Sequence, residues 1–293
     1  MTTGTSAGPL VIGGVGGSGT RLVAELAQHL GTSLGGDCNH SLDTLWATLL
    51  LRRPEWLRQR EKRRGWEIDL AFDVLEDAVN GRLAMTPEVT ALLEQAEADQ
   101  VRLGLDRHWT GMRLASLAGA GRSGVAPERW GWKEPSSHHY LRHLHRHYGP
   151  TLRYVHVIRN GLDMAYSTNQ WQVRVWGWRY GIDAPHRVSP QASVDYWIRA
   201  NREAVATGAD LPAGCFLLVD FDRLCADPAS GVDALLRFLE LDPPSEVVDK
   251  LVALPRAPAS TGRWRSGDAT FTEEQLEAVA GLGFDVGGGT PSP

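Results

Sequence analysis

The feature that most constrains this 293-residue chain is a glycine-rich turn between an apolar run and an amphipathic segment. The apolar run that begins at Pro9 predicts a buried strand, and Leu22 to Leu30 has the apolar spacing of a helix. Glycines let the backbone turn tightly and direct several N–H groups to one position, where the helix dipole adds positive charge. The turn therefore predicts a site for a phosphate-like anion, although similar turns also join strands to helices without any ligand.

The same turn argues against nucleotide hydrolysis. Gly14 and Gly19 have the separation of the G-x-x-x-x-G-K-[ST] loop, but Thr20 and Arg21 stand where that loop has its lysine and its hydroxyl residue. The chain therefore lacks the lysine that reaches the terminal phosphates and the hydroxyl that holds Mg²⁺. A kinase that uses ATP and Mg²⁺ is one alternative interpretation, and a nucleotide-binding module without catalytic activity is another.

Further segments repeat the pattern of a strand that runs into a polar turn. Residues 152–158 alternate and are rich in β-branched side chains, so they predict a strand, and residues 159–167 predict a turn that opens a helix. Residues 130–135 lie upstream, and residues 215–221 predict another strand. Because strands alternate with helical patterns, we expect an α/β fold with a mainly parallel sheet and one domain over residues 1–293.

In these segments the chain resembles the sulfotransferases that use 3′-phosphoadenosine 5′-phosphosulfate (PAPS). The family's first loop, G-x-P-R-S-G-T-T, is matched by GVGGSGTR at residues 14–21, and its K-D/E-P element by residues 133–135. Arg159 and Ser167 have the spacing of the R-D/N-G motif, and the matches follow the family order as far as Arg265. The chain is most similar to the bacterial branch, and its first loop is similar to that of tyrosylprotein sulfotransferases. The resemblance implies a three-layer, P-loop-like α/β fold with a helical insertion.

The resemblance also implies which residues bind the donor. The first loop would contact the 5′-phosphosulfate, Arg159 and Ser167 would hold the 3′-phosphate, and a glycine- and arginine-containing loop near the C-terminus would close over it. The implied donor-binding residues are Gly16, Gly17, Ser18, Gly19, Thr20, Arg21, Arg159, Ser167, Gly262, Arg263 and Arg265. Arg21 is among them because Gly16-Gly17 replaces the family's loop cation, and a side chain one helical turn later can fold back toward the anion.

The predicted catalytic residues are His40, Asp37 and Lys133. Lys133 would neutralise charge on the departing 5′-phosphate oxygen. Members of the family place a histidine or a glutamate near the acceptor after the first helix, and imidazole titrates near neutral pH, so His40 is the first candidate for the base. Asp37 is the second, and Glu134 and Asp43 are further alternatives. No metal is expected, because the family needs none.

Residues 41–120 carry mostly helical patterns and are expected to form a cap that binds the acceptor. A basic run lies within them, formed by Arg52, Arg53, Arg58, Arg60, Lys62, Arg63 and Arg64. We interpret the run as a solvated helix face paired with Glu55 and Glu61, with an anionic acceptor or a membrane surface as alternatives. The tails, residues 1–8 and 281–293, are expected to be flexible.

Composition narrows the partners and the location. The net charge of −5 gives no reason to expect nucleic-acid binding. The N-terminus lacks the basic and apolar segments of a signal peptide, and no apolar run approaches the ~20 residues that span a bilayer. Three scattered cysteines suit a reducing compartment, so we expect a cytoplasmic enzyme. The acceptor, whether a small molecule, a carbohydrate or a lipid, and a homo-oligomeric state are left open.

Overall fold

A computed structural model describes residues 8–62, 65–120, 126–183 and 186–287. The described residues form one five-stranded sheet from β1 (Leu10–Gly14), β2 (Thr32–Ser33), β3 (Arg129–Lys133), β4 (Arg153–Ile158) and β5 (Phe216–Asp220). The strand order is β2-β3-β1-β4-β5, and every neighbouring pair is parallel. The mainly parallel α/β sheet is therefore confirmed, although the two-residue strand β2 was not predicted.

Helices cover both faces of the sheet. They are α1 (Thr20–His29), α2 (Leu45–Leu51), α3 (Pro54–Glu61), α4 (Trp66–Val79), α5 (Pro87–Arg102), α6 (Arg107–Gly119), α7 (Leu141–Tyr148), α8 (Gly161–Ala165), α9 (Trp171–Trp176), α10 (Pro190–Ala209), α11 (Phe221–Ala226), α12 (Pro228–Leu239), α13 (Ser245–Val252) and α14 (Glu273–Ala280). No helix within the described ranges combines the length and the apolar character that crossing a membrane requires.

The strands separate two apolar cores because successive side chains of a strand point to opposite faces. Val11 and Tyr154 lie in one core with residues of α2, α4 and α10. Ile12 and Val155 lie in the other core with residues of α1, α12 and α13. The sheet is thus the middle of three layers, and the three-layer fold implied by the family resemblance is confirmed.

The helices α2 to α6 lie between β2 and β3, within the region where the sequence predicts a helical insertion. α3 lies within the basic run that the sequence predicts to be a helix face, but its charged residues hide the apolar side that it buries. Pro54 occupies its first turn, where a proline fits, and the side chains of Trp56 and Leu57 are buried. These two side chains anchor the basic segment to the rest of the insertion.

The described part of the C-terminal tail includes buried and hydrogen-bonded residues. Phe284 is buried with its ring 5.7 Å from that of Trp197, and the Asn160 side chain donates a 2.9 Å hydrogen bond to the carbonyl oxygen of Asp285. Residues 284 and 285 therefore contact the rest of the fold beside the end of β4, and the flexibility of the tail stays a prediction. Residues 1–7 and 288–293 lie outside the described residues.

Three histidines are buried beneath the sheet end that carries the site described below. The Nε2 atom of His156 lies 2.9 Å from the Asn201 side-chain oxygen, and that of His139 lies 3.2 Å from the Tyr196 hydroxyl. Burial lowers the pKa of His138 to about 4 and that of His156 to about 3, because the charged imidazolium would lose its hydration. These side chains are therefore neutral parts of the core.

We expect acid to destabilise the protein through these histidines. In the unfolded chain a histidine takes up a proton near pH 6.5, whereas in the folded chain His156 stays neutral down to about 3. The free energy of unfolding then falls as the pH drops below 6.5, by up to about 1.4 kcal/mol per pH unit for each such histidine.

Urea unfolding at a series of pH values tests this expectation on the parent protein and on His156→Gln, which keeps an amide donor for Asn201. The variant should lose less stability than the parent between pH 6.5 and 4. Comparing the two proteins removes the contributions of all other groups. Parallel curves for the two proteins would contradict the assignment.

Candidate active site

The candidate site lies at the carboxyl ends of β1 and β4, where ligands bind in parallel α/β sheets. The two strands are paired as far as Gly14 and Val157, so the loops that follow them leave the sheet side by side. β2 and β3 lie on one side of β1, and β4 and β5 lie on the other. This change of direction opens a crevice between the first loop, residues 15–19, and the segment of residues 159–167.

Two glycines give the first loop its shape. Gly17 and Gly19 have φ angles of +97° and +95°, in the left-handed region that favours glycine. A Cβ atom on Gly19 would come within 2.1 Å of the Phe221 ring, and one on Gly17 would lie 3.8 Å from the Ser167 hydroxyl oxygen. The loop therefore passes close to α11 on one side and faces Ser167 on the other.

The donors of the loop are partly used inside the protein. The Gly16 N–H donates to the Gln172 side-chain oxygen at 2.9 Å, and the Ser18 N–H donates to the Val15 carbonyl at 3.0 Å. The Ser18 hydroxyl is buried without a hydrogen-bond partner among the described residues. Gly17 likewise makes no hydrogen bond in that part of the chain. A buried hydroxyl and a free N–H at the start of a helix fit an oxyanion ligand.

Arg159 supplies the first cation beside the loop. Its side chain is buried, and its guanidinium donates to the hydroxyl oxygens of Ser260 at 3.1 Å and Thr261 at 3.4 Å. Its Nε lies 3.8 Å from a carboxylate oxygen of Asp222 and makes no hydrogen bond with the described residues. The guanidinium therefore keeps donor capacity for a further acceptor.

Asp163 attaches the loop of residues 260–265 to the segment of residues 159–167. Its carboxylate accepts hydrogen bonds from the N–H groups of Gly262 at 2.8 Å and Trp264 at 3.2 Å, and the Arg263 side chain donates to its carbonyl oxygen at 2.7 Å. The pKa of Arg263 is lowered, first by burial and then by the positive charge of Arg159. This effect of Arg159 on Arg263 means that the two cations lie near each other. An anionic ligand would stabilise such a pair.

Arg265 takes a different course from Arg263. Its exposed guanidinium forms an ion pair with Asp285. The structure thus brings together the first loop, Arg159, Ser167 and Arg263 at one edge of the sheet, and it turns Arg265 toward the tail. Arg159 and Ser167 were found from the sequence because one short motif carries both.

A cavity of about 650 Å³ opens next to the first loop. Its walls come from the first loop, the segment after β2, the insertion, the turn after β3 and the start of α9. The lining residues include Gly16, Asp37, Asp43, Leu45, Thr48, Arg52, Leu105, Trp109, Arg113, Glu134, Trp171 and Gln172. The insertion contributes much of the wall that faces the loop. Its expected role in binding the acceptor stays a prediction.

Two of the carboxylates that line the cavity are paired with cations. Asp37 lies 3.0 Å from the Nε atom of Arg113, and Asp43 pairs with Lys133. The Lys133 ammonium also donates to the Ser41 carbonyl at 3.1 Å. The predicted action of Lys133 on the donor therefore requires its ammonium to leave Asp43.

Glu134 is the third carboxylate of the cavity and has a different environment. It is buried, and one of its carboxylate oxygens accepts a 3.1 Å hydrogen bond from the Ser136 N–H. Burial raises its pKa to about 7, and the nearby charge of Arg52 opposes this rise. A carboxyl group that titrates near neutral pH can both accept and return a proton.

Arg21 and His40 do not line this cavity. Both are exposed, and they border a separate recess of about 370 Å³ with Glu25, Gln28 and His29. Arg21 is the second residue of α1, and its side chain leaves the helix on the outer side. His40 sits on a turn in which the Asn39 side-chain oxygen accepts hydrogen bonds from the N–H groups of Ser41 and Asp43, which turns the histidine outward.

Gln172 and Asp163 were not identified from the sequence, and Arg52 was named there only as a member of the basic run. Asp163 lies inside the predicted turn motif, four residues after Arg159, and this spacing was the signal that could have identified it. No local pattern identifies Gln172, which reaches the first loop only through the tertiary fold. Within the described residues, no group of three or more histidine, cysteine, aspartate or glutamate side chains has an arrangement that could hold a metal ion.

Solved structures align with this chain over most of its length. The sulfotransferase domain from the curacin biosynthetic pathway aligns with 95% of this chain and 98% of its own, with a TM-score of 0.52 and 11% identity. The sulfotransferase domain from the Synechococcus PCC 7002 olefin synthase aligns with 95% of this chain and 94% of its own, with a TM-score of 0.45 and 18% identity. The sulfotransferase STF1 from Mycobacterium tuberculosis H37Rv aligns with 94% of this chain and 76% of its own, with a TM-score of 0.43 and 17% identity.

Comparison by sequence matches the chain to a family profile but to no individual curated protein. No curated protein matches the chain in sequence. The profile of the sulfotransferase family, however, matches residues 9–245, which include β1 to β5, the first loop and the cavity. The chain therefore belongs to the sulfotransferase family.

Proposed function

We propose that this protein transfers a sulfuryl group from PAPS to a hydroxyl group, or an amine, of an acceptor held in the 650 Å³ cavity. The observation that carries the proposal is the pair of neighbouring guanidiniums, Arg159 and Arg263, beside a glycine loop that leaves a buried hydroxyl unpartnered. This group suits a ligand with two separate anionic ends. The first loop also lacks the lysine with which P-loop kinases bind ATP.

The 3′-phosphate of the donor would contact Arg159, Ser167 and Arg263. A guanidinium has five N–H donors, so Arg159 can bind a phosphate and still keep its bonds to Ser260 and Thr261. Gly262 directly precedes Arg263, and its N–H donates to the Asp163 carboxylate. Arg265 would contribute only if it left Asp285.

The 5′-phosphosulfate would lie at the first loop, where Gly16 to Thr20 turn into α1. When bound, PAPS supplies an activated sulfuryl group whose transfer leaves negative charge on the 5′-phosphate. The free N–H of Gly17 and the positive end of α1 stabilise negative charge at this position. Lys133 is our candidate for a second charge that stabilises the 5′-phosphate. In this structure its ammonium is paired with Asp43.

We propose Glu134 as the base that removes the acceptor proton. It lines the cavity, it directly follows β3, and its raised pKa suits proton transfer near neutral pH. Asp37 lines the same cavity and is the alternative, but its carboxylate is already engaged in an ion pair with Arg113. His40, the first candidate from sequence, could act only if its turn moved away from the recess that it shares with Arg21.

We further propose that the protein works in the cytoplasm on a small molecule, carbohydrate or lipid acceptor. The location is supported by Cys38, Cys215 and Cys225, which are all free thiols. The polar and aromatic lining of the cavity supports a small acceptor.

The donor site should bind 3′,5′-adenosine bisphosphate without Mg²⁺. We expect Arg159→Ala to weaken this binding by about 1.5–3 kcal/mol, the usual contribution of a charge-assisted hydrogen bond. Calorimetry in the presence of EDTA measures the effect, and Arg223→Ala, which removes an exposed arginine next to the same site, is the control. Adenosine 5′-phosphate should show a smaller loss because it lacks the 3′-phosphate. Binding of ATP alone, and only with Mg²⁺, would favour a kinase.

Gly19→Ala should weaken donor binding at least as strongly, because the new Cβ would collide with Phe221 at a φ angle of +95°. The strained backbone alone costs about 1–2 kcal/mol, so the melting temperature should also fall. The matched control is Gly111→Ala on α6, where no atom lies within 4 Å of the added methyl group. This control should bind the donor normally and gain up to about 1 kcal/mol of stability. Equal behaviour of the two variants would overturn the role given to Gly19.

Glu134→Gln should lower kcat by about 10²- to 10⁴-fold, the range for a lost general base, without weakening the binding of 3′,5′-adenosine bisphosphate. In the parent protein kcat/KM should rise with pH up to about 7, because the carboxyl must lose its proton to act. The measurement is turnover of labelled PAPS with an acceptor found by screening hydroxyl compounds. If His40→Ala or Asp37→Asn removes the rising limb and Glu134→Gln does not, the base lies at that residue.

A further inference from the structure

The basic run of the insertion is mostly neutralised in the fold. Arg53 pairs with Asp99 at 2.5 Å, Arg58 with Glu55 at 2.5 Å and Arg60 with Glu67 at 2.9 Å. Arg63 and Arg64 lie outside the described residues. The interpretation of a solvated helix face paired with Glu55 and Glu61 therefore fits Arg58, whereas Arg53 and Arg60 pair with other carboxylates and are mostly buried, and Arg52 has no ion pair within the described residues.

Arg52 has no ion pair and no side-chain hydrogen bond within the described part of the chain. It ends α2 and lines the cavity, and its guanidinium carbon lies 4.1 Å from the centre of the Trp171 ring. Its Nε atom is buried and unpartnered. The tryptophan supports one face of the guanidinium and leaves its edge, which carries the N–H donors, without an acceptor.

The other cations at the cavity are already compensated. Arg113 pairs with Asp37, and Lys133 pairs with Asp43. Glu134 is close enough to influence Arg52 but forms no ion pair with it. Its raised pKa, about 7, also means that Glu134 is substantially protonated near neutral pH. Glu134 and Asp43 both influence Arg52, but neither forms an ion pair with it, so Arg52 is the cation among the described lining residues of this cavity that has no ion-pair partner.

An unpaired, largely buried guanidinium is costly unless a ligand completes its hydrogen bonds. We propose that Arg52 binds a carboxylate of the acceptor, so that the acceptors of this protein are hydroxyl compounds that carry a negative charge. This inference rests on the proposed function only in taking the cavity as the acceptor site. Trp109 and Trp171 on the wall of the cavity favour an acceptor with a flat scaffold between its two polar ends.

Three phenols with one scaffold and different charges test the inference. They are 4-hydroxyphenylacetate, its neutral amide 4-hydroxyphenylacetamide, and the cation tyramine. Calorimetry measures their affinities for the protein saturated with 3′,5′-adenosine bisphosphate and for the free protein. We expect the carboxylate to bind about 10- to 100-fold more tightly than the amide, as for a charge-assisted hydrogen bond, and tyramine to bind most weakly.

Arg52→Gln should abolish the preference for the carboxylate and leave the binding of 3′,5′-adenosine bisphosphate unchanged. Arg52→Lys should restore part of the preference, because it restores the charge without the planar fork. The matched control is Arg58→Gln, which removes an exposed arginine of the same basic run and should behave like the parent.

The possible outcomes test the inference about Arg52 separately from the proposed donor site. Equal affinities for the carboxylate and the amide in the parent protein, including no binding of either, would overturn the inference. Equal weakening of all three phenols in Arg52→Gln would also overturn it, since it indicates a structural role. A preference for the carboxylate that depends on Arg52, in a protein that does not bind 3′,5′-adenosine bisphosphate, would support the anion site and refute the donor assignment.

Discussion

The parallel pairing of β1 with β4 is the interaction on which the rest of the site depends. It brings Gly14 beside Val157, and the two loops that follow these residues therefore start at adjacent points of one sheet edge. The first loop provides backbone donors and a helix N-terminus, and the loop after β4 provides a buried guanidinium and a hydroxyl. Neither loop could bind a molecule with two anionic ends alone. The hydrogen bonds between the strands set the distance between the two halves of the site.

The cavity beside this edge shows how charge can be buried at modest cost. Asp37 and Asp43 each have a cationic partner, so their charges are compensated at short range. Glu134 avoids the cost by favouring its neutral form, because burial raises its pKa. Arg52 cannot do the same, since a guanidinium stays charged at any ordinary pH. Among the described residues that line the cavity, Arg52 is therefore a cation without an ion pair, and the proposed acceptor carboxylate would supply one.

Much of the fold could be predicted because its signals are local. Alternation predicted β4, residues 215–221 were predicted as a further strand, and glycines next to an apolar run predicted the turn before α1; all three elements are confirmed. Arg159 and Ser167 were found together because one short turn carries both. Arg21 and His40 show the limit of this reasoning: spacing along the chain predicts their separation, but tertiary contacts decide which way their side chains point. Arg21 points away on the outer side of α1, and the turn held by Asn39 directs His40 into the same recess.

Asp163 connects parts of the chain that are made at very different times during synthesis. Its carboxylate holds the N–H groups of Gly262 and Trp264, about a hundred residues later, and Asn160 beside it holds the carbonyl of Asp285. A ribosome-bound chain that ends before these residues has the first loop and Arg159 but leaves the buried Asp163 carboxylate without its backbone partners. This edge of the sheet is therefore completed only after residue 264 has been made, and a chain that ends earlier would lack the two backbone donors that compensate the Asp163 carboxylate.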